Sequence, residues 1–182
     1  STVVFDNIRV KQIQHTIKPD SIYFKEDFEH VPSGIYPFIK GPAGGSNDPR
    51  IHLAELHSPY TQKGWNNKKV DDVLNGIWSL KIHENVKGLV VQTIPQNVRF
   101  EANKKYKVSF NYQAEAKDYS FVIGEKTKIL TEHIISPQFE TQKYVVTFTG
   151  APSGNSWFGF VKNNKNESDL IIDDIEVIEL KD

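Results

Sequence analysis

"KKYKVSFNYQAE", residues 104–115, alternates apolar and polar side chains along most of its length. In an extended chain Tyr106, Val108, Phe110 and Tyr112 share one face, and Lys107, Ser109, Asn111 and Gln113 share the other. Successive side chains of a strand point to opposite sides, so this period of two predicts a strand with one face in a core. The same reading predicts strands at "WSLKI" (78–82), "GLVVQTI" (88–94), "SFVIG" (120–124), "KYVVTFTG" (143–150), "SWFGFV" (156–161) and "DLIIDDIEVIEL" (169–180). Gly, Pro, Ser and Asn stand between these runs as turn signals. Many short strands and no long helical pattern predict an all-β fold, an antiparallel β-sandwich of jelly-roll type. The apolar positions of 170–178 are expected to join Val108, Phe110 and Tyr112 in the core, as are Trp78 and Trp157.

Residues 32–76 depart from this pattern and are expected to form one long ordered loop region, too aromatic for disorder. Within it, "NDPRIHLAELHSP" (47–59) has the makings of two helical turns, with Asp48 as N-cap, Pro49 at the first helical position and termination before Pro59. At the N-terminus, "VVFDNIRV" (3–10) echoes "LIIDDIEV" (170–177). Either any two such strands look alike, or residues 1–20 are a strand and linker left from a preceding module. The main domain is then expected at 21–182.

The 182 residues suit one domain with a real core. A formal charge of −1 and a pI near 6.6 argue against nucleic acid, which favours clustered Lys and Arg. No apolar run approaches the roughly 20 residues that would span a bilayer. With no cysteine, disulfides, zinc–thiolate sites and thiol catalysis are excluded. The lack of methionine points to a chain cut from something longer.

His52 and His57 invite a zinc reading, but their spacing defeats it. At about 100° per residue, five positions leave them about 140° apart on a helix, and on a strand they face opposite sides. Nor does any pair of carboxylates stand out as the two that a glycosidase holds across a sugar.

Taken in order, "YFKEDFEHVPSG" (23–34), "GIWSLKI" (76–82), "LVVQTIPQNVRFEANKKYKVSFNYQAE" (89–115), "YVVTFTG" (144–150) and "LIIDDIEVIEL" (170–180) resemble the galactose-binding-like jelly-roll modules of extracellular glycoside hydrolases, of the carbohydrate-binding family 4/9 pattern. The middle segment, "DPRIHLAELHSPYTQKGWNNKKVDDVLNGIWSLK" (48–81), is similar to the C-terminal module of endo-α-N-acetylgalactosaminidases of glycoside hydrolase family 101. Those large bacterial enzymes, secreted or wall-attached, release Gal-β-1,3-GalNAc from mucin-type O-glycans. The resemblance covers roughly Ser21 to Leu180. It implies a non-catalytic, monomeric, extracellular module whose partners are galactose- or GalNAc-containing glycans, or else a structural module that docks against the rest of its parent.

For sugar binding, Trp and Tyr rings stack on the apolar face of a pyranose while planar polar side chains meet its hydroxyls. The stretch "PRIHLAELHSPYTQKGW" (49–65) offers Tyr60 and Trp65 for stacking and Arg50, His52 and His57 for hydroxyls. Asn111 and Gln113, on the outer face of strand 105–114, form a second candidate surface. First and last strands are neighbours in the resembling modules, which would bring Asp27 and Glu29 near Asp173 and Asp174. Four carboxylates together would repel unless a cation bound them, so a structural calcium ion is expected there.

Overall fold

A computed structural model of the protein describes residues 21–30, 39–40, 51–55, 61–62, 66–67, 72–83 and 87–181. Among the described residues, thirteen strands follow in chain order. The first five are β1 (Ser21–Glu26), β2 (Ile39–Lys40), β3 (Ile51–Glu55), β4 (Thr61–Gln62) and β5 (Asn66–Asn67). Then come β6 (Trp78–His83), β7 (Gly88–Thr93), β8 (Lys105–Ala114) and β9 (Tyr119–Glu125). The last four are β10 (Lys128–Ile134), β11 (Gln138–Thr149), β12 (Ser156–Lys162) and β13 (Asp169–Leu180).

Two antiparallel sheets stack to make a jelly-roll sandwich. Sheet A runs β11-β8-β13-β6-β3, with β1 also paired to β13, and sheet B runs β10-β9-β12-β7-β2. The expected face of β8 is the core face: Tyr106, Val108, Phe110 and Tyr112 are all buried. They meet Phe121 and Phe160 of sheet B, with the Phe110 ring 5.7 Å from Phe121 and 5.2 Å from Phe160. Tilted and edge-on pairs of this kind suit the ring quadrupole.

β13 needs an irregularity to keep its apolar residues inside. Leu170 and Ile172 point inward, but so do Ile175 and Val177, which have the opposite parity. A bulge between Asp173 and Glu176 absorbs the change, and Asp174 takes a left-handed φ of 49° to make it.

Of the stretch 47–59, where two helical turns are expected, the described residues 51–55 form no helix. Residues 51–55 are a strand on the edge of sheet A, with Ile51 opposite Ile82 and Leu53 opposite Leu80. Pairing with β6 buries both Ile51 and Leu53 in the core, a gain that outweighs the local Asp-Pro start signal. The 32–76 region is therefore less of a loop than expected, since β2 to β5 lie within it. Residues 72–76 are also described; the rest of it, and the echo at 3–10, fall outside the described residues.

Trp78 is half-buried against the core. Trp157 is buried as expected, but its alternation with Phe158 and Phe160 sets it on the opposite face of β12, where its Nε1 donates to the Lys126 carbonyl at 2.8 Å. The strand β10 had no readable alternation and was not foreseen.

Candidate functional site

Strand register decides which polar side chains gather on the outer face of sheet A. Across the sheet, Gln113 of β8 stands opposite Ile171 of β13, Ile171 opposite Lys81 of β6, and Lys81 opposite His52 of β3. The adjacent row of Tyr112, Ile172, Leu80 and Leu53 points into the core, so Gln113, Ile171 and Lys81 point out. Asp169 stands opposite His83 one step further along.

These residues form a layered site. At its base Lys81, only 1% exposed, places Nζ 2.8 Å from Asp72 Oδ2 and 2.7 Å from Asp169 Oδ2. Burial disfavours the ammonium, but hydrogen bonds and charge from Asp169 and Asp72 outweigh it and raise the Lys81 pKa. His83 Nδ1 contacts the other oxygen of Asp169, and the Asp169 N–H donates to Glu115 Oε2 at 2.7 Å.

Above this base opens a cleft of about 330 Å³, lined among others by Asp72, Gln113, Glu115, Gln138, Phe139 and Asp169. Phe139 is 80% exposed on β11 beside the irregularity between Gln138 and Gln142. An apolar ring at the lip of a polar cleft is what a sugar face requires. A second depression of about 420 Å³, lined by residues such as Gln96, Arg99 and Asn155, has no aromatic ring among its described lining residues.

The expected sugar-binding residues divide three ways. Arg50, His57, Tyr60 and Trp65 lie outside the described residues. His52 lies on β3 at the position opposite Lys81. Gln113 lines the cleft, its Nε2 3.2 Å from Thr141 Oγ1, whereas Asn111 is tied down by a 2.9 Å hydrogen bond from its Nδ2 to Asp174 Oδ2. Phe139, Glu115, Asp72, Lys81 and Asp169 were not foreseen. Phe139 carried a faint signal, an aromatic amid the polar run "SPQFETQK". The ion triad carried none, because Asp169 stands far along the chain from Asp72 and Lys81.

Of the expected calcium ligands, Asp173 and Asp174 lie on β13, and Asp27 and Glu29 follow directly after β1, which pairs with β13 so that Glu26 stands opposite Ile175. Glu29 Oε1 accepts the N–H groups of Ile77 (2.8 Å) and Trp78 (3.1 Å). Lys25 Nζ lies 3.5 Å from Asp27 and 3.8 Å from Asp174. Asp173 is buried and accepts from Ser79 Oγ at 2.6 Å and from the N–H groups of Asn75 and Asp174. Burial, reinforced by the Asp174 charge, pushes its pKa up to about 7 against those hydrogen bonds. The donors are all oxygens, as calcium prefers. However, no group of three or more acids or histidines able to hold a metal converges among the described residues.

A family model described as galactose-binding domain-like matches residues 2–174. The chain belongs to the galactose-binding domain-like family. It is 37% identical over 171 residues, 91% of its length, to a Renibacterium salmoninarum protein named "Putative endo-alpha-N-acetylgalactosaminidase", and spans only 11% of that relative's length. The xylan-binding CBM22-1 domain of Paenibacillus barcinonensis Xyn10C shares its fold, with a TM-score of 0.57 at 12% identity, covering 92% of this chain and 99% of that one. The TmCBM61 module, solved with beta-1,4-galactotriose, follows at TM-score 0.51 and 10% identity, over 85% of this chain and 99% of that one. This galactose-binding-like domain thus has the fold of carbohydrate-binding modules and matches a fragment of a far larger glycosidase-named relative.

Proposed function

We propose that the domain binds glycans through the outer face of sheet A, with Phe139 as stacking platform and Gln113, Gln138 and Glu115 meeting sugar hydroxyls. The observation that carries this reading is the 80% exposure of Phe139 beside a polar cleft. A ring left in water costs free energy that a sugar's C–H face relieves on binding. The ligand class is galactose- or GalNAc-containing chains of mucin-type O-glycans, and the setting is a bacterial extracellular enzyme in which this domain acts as a monomeric appendage. Support comes from the similarity to the Renibacterium salmoninarum protein and from the shared fold of a galactotriose-bound module. A glycan array probed with the domain and with Phe139→Ala tests it. Retention of galactose- or GalNAc-terminated glycans, lost in the variant, is expected; no retention by the wild-type domain refutes the reading.

A calcium ion at the β1–β13 junction belongs to the same proposal. Glu29, Asp173, Asp174 and Asp27 would hold it with backbone carbonyls, and it would supply charge neutralisation. What supports this is that the buried Asp173 carboxylate meets only neutral donors among its described partners.

A second reading, docking against the remainder of a parent enzyme, draws on strand β10. This edge of sheet B exposes Ile129, Leu130 and Ile134, an apolar row that a neighbouring domain would cover.

A further inference from the structure

We propose that Thr141 is a positioning residue of the glycan site, fixing through Gln113 the edge bulge that carries Phe139. This rests on the glycan-binding reading above and concerns how that same site is held ready for its ligand. The register of β11 against β8 points to it. Gln138 stands opposite Ala114 and Gln142 opposite Tyr112, so residues 139–141 of β11 together face Gln113 alone on β8. A bulge of this kind bends its strand, and at a sheet edge it re-aims a side chain that regular pairing would keep in the ladder. Here β11 ends the order of sheet A, and the side chain re-aimed is Phe139, 80% exposed at the lip of the cleft.

A bulge disrupts the ladder locally, so its shape has to be held by other contacts. Gln113 supplies one: its Nε2 donates to Thr141 Oγ1 at 3.2 Å, tying the bulge back to the residue it spans. Gln113 also lines the cleft together with Phe139, so ring, clamp and cleft share one face of the sheet. The clamp serves binding more than folding. Residues 139–143 are all exposed, and little apolar burial depends on how they are arranged. A ring on a loose bulge has to be ordered when a sugar stacks on it, which weakens binding by the equivalent of about two- to tenfold. In the clamped bulge that ordering precedes the ligand.

The experiment titrates the full chain and its Thr141→Val and Thr141→Ser variants with the galactose- or GalNAc-terminated glycan that the wild type retains best on an array. Amide hydrogen exchange and thermal unfolding are measured on the same three proteins. Val matches Thr in shape but has no oxygen to accept from Gln113, whereas Ser keeps the hydroxyl. Expected for Thr141→Val are an affinity lower by about two- to tenfold, faster exchange at 139–142 and an unchanged thermal midpoint, with Thr141→Ser restoring the wild-type affinity. Wild-type affinity in Thr141→Val overturns this inference and leaves the glycan-binding reading standing. So does a loss of affinity that comes only with a lowered midpoint, or one that Thr141→Ser does not restore. Retention of no glycan by the wild type overturns both.

Discussion

Lys81 and Phe139 lie on one face of the molecule, and their surroundings give them opposite behaviour. Lys81 is buried with two carboxylates, and taking it away would remove a buried ion pair with each of them. Lys81→Met is therefore expected to destabilise the domain by about 3–5 kcal/mol, read as a shift in the midpoint of urea unfolding. Phe139 is 80% exposed and little of its area is removed from water on folding. Phe139→Ala should leave the unfolding midpoint nearly unchanged, while Phe110→Ala, at a fully buried ring in the core, should cost about 3–5 kcal/mol. A large loss of stability in Phe139→Ala would make the ring a structural plug and remove the platform from the site.

The strands carry their own constraints, visible where two of them approach closely. Gly159 of β12 lies opposite Gln92 of β7, and a Cβ added there would sit 2.2 Å from the Val91 carbonyl oxygen. Backbone cannot swing aside as a side chain can, so Gly159→Ala should force β7 off β12 and cost about 1–3 kcal/mol, measured as a lowered thermal midpoint. At the end of β12 the turn 163–168 is held by one carboxylate. Asp118 accepts from Asn164 Nδ2 and Asn166 Nδ2, both at 2.5 Å, and from Ser168 Oγ at 2.6 Å, with Lys162 Nζ 3.8 Å away. Burial pushes the Asp118 pKa up, but these hydrogen bonds and the Lys162 charge outweigh it and leave it below the ordinary value of 3.8. A depressed carboxylate stabilises the fold above its unfolded pKa, and that contribution fades as pH falls through the folded value. Urea unfolding between about pH 5 and pH 2 should show stability dropping with acid, and Asp118→Asn should show a shallower drop over the same window. An identical slope in the variant would place the acid sensitivity elsewhere.

For the whole molecule, the pairing of β1 with β13 is the closure that joins the beginning of the described domain to its end. The proposed calcium ion would act on that closure and so on global stability. A ligand that binds only the folded state at about 100 times its Kd adds about 2.7 kcal/mol, which for a domain of this size raises the midpoint by roughly 5–10 °C. Scanning calorimetry with calcium and with a chelator is expected to show that difference. Equal midpoints, with no metal found by elemental analysis, would remove calcium from the account.

How much of this was legible in the chain follows from the range of each interaction. Period-two alternation in "KKYKVSFNYQAE" is a local property, because a pleated backbone turns neighbouring side chains to opposite faces wherever it runs. From it came the strands, the core face of β8 and the sandwich, and the quoted motifs carried the family. Alternation failed at β3, where Asp48 and Pro49 looked like a helix start, because the pull on Ile51 and Leu53 comes from Ile82 and Leu80, about thirty residues away. It failed again at β10, an edge strand whose side chains answer mostly to water. Gln113 could be assigned to an outer face from sequence alone, but its neighbours there could not. Lys81 and Asp169 meet only because β6 and β13 pair in one register, and a slip of a single residue in either strand would turn its member to the other side. The residues of this domain set which faces are apolar; the pairing of distant strands set which polar groups share a cleft, since that depends on contacts no local pattern encodes.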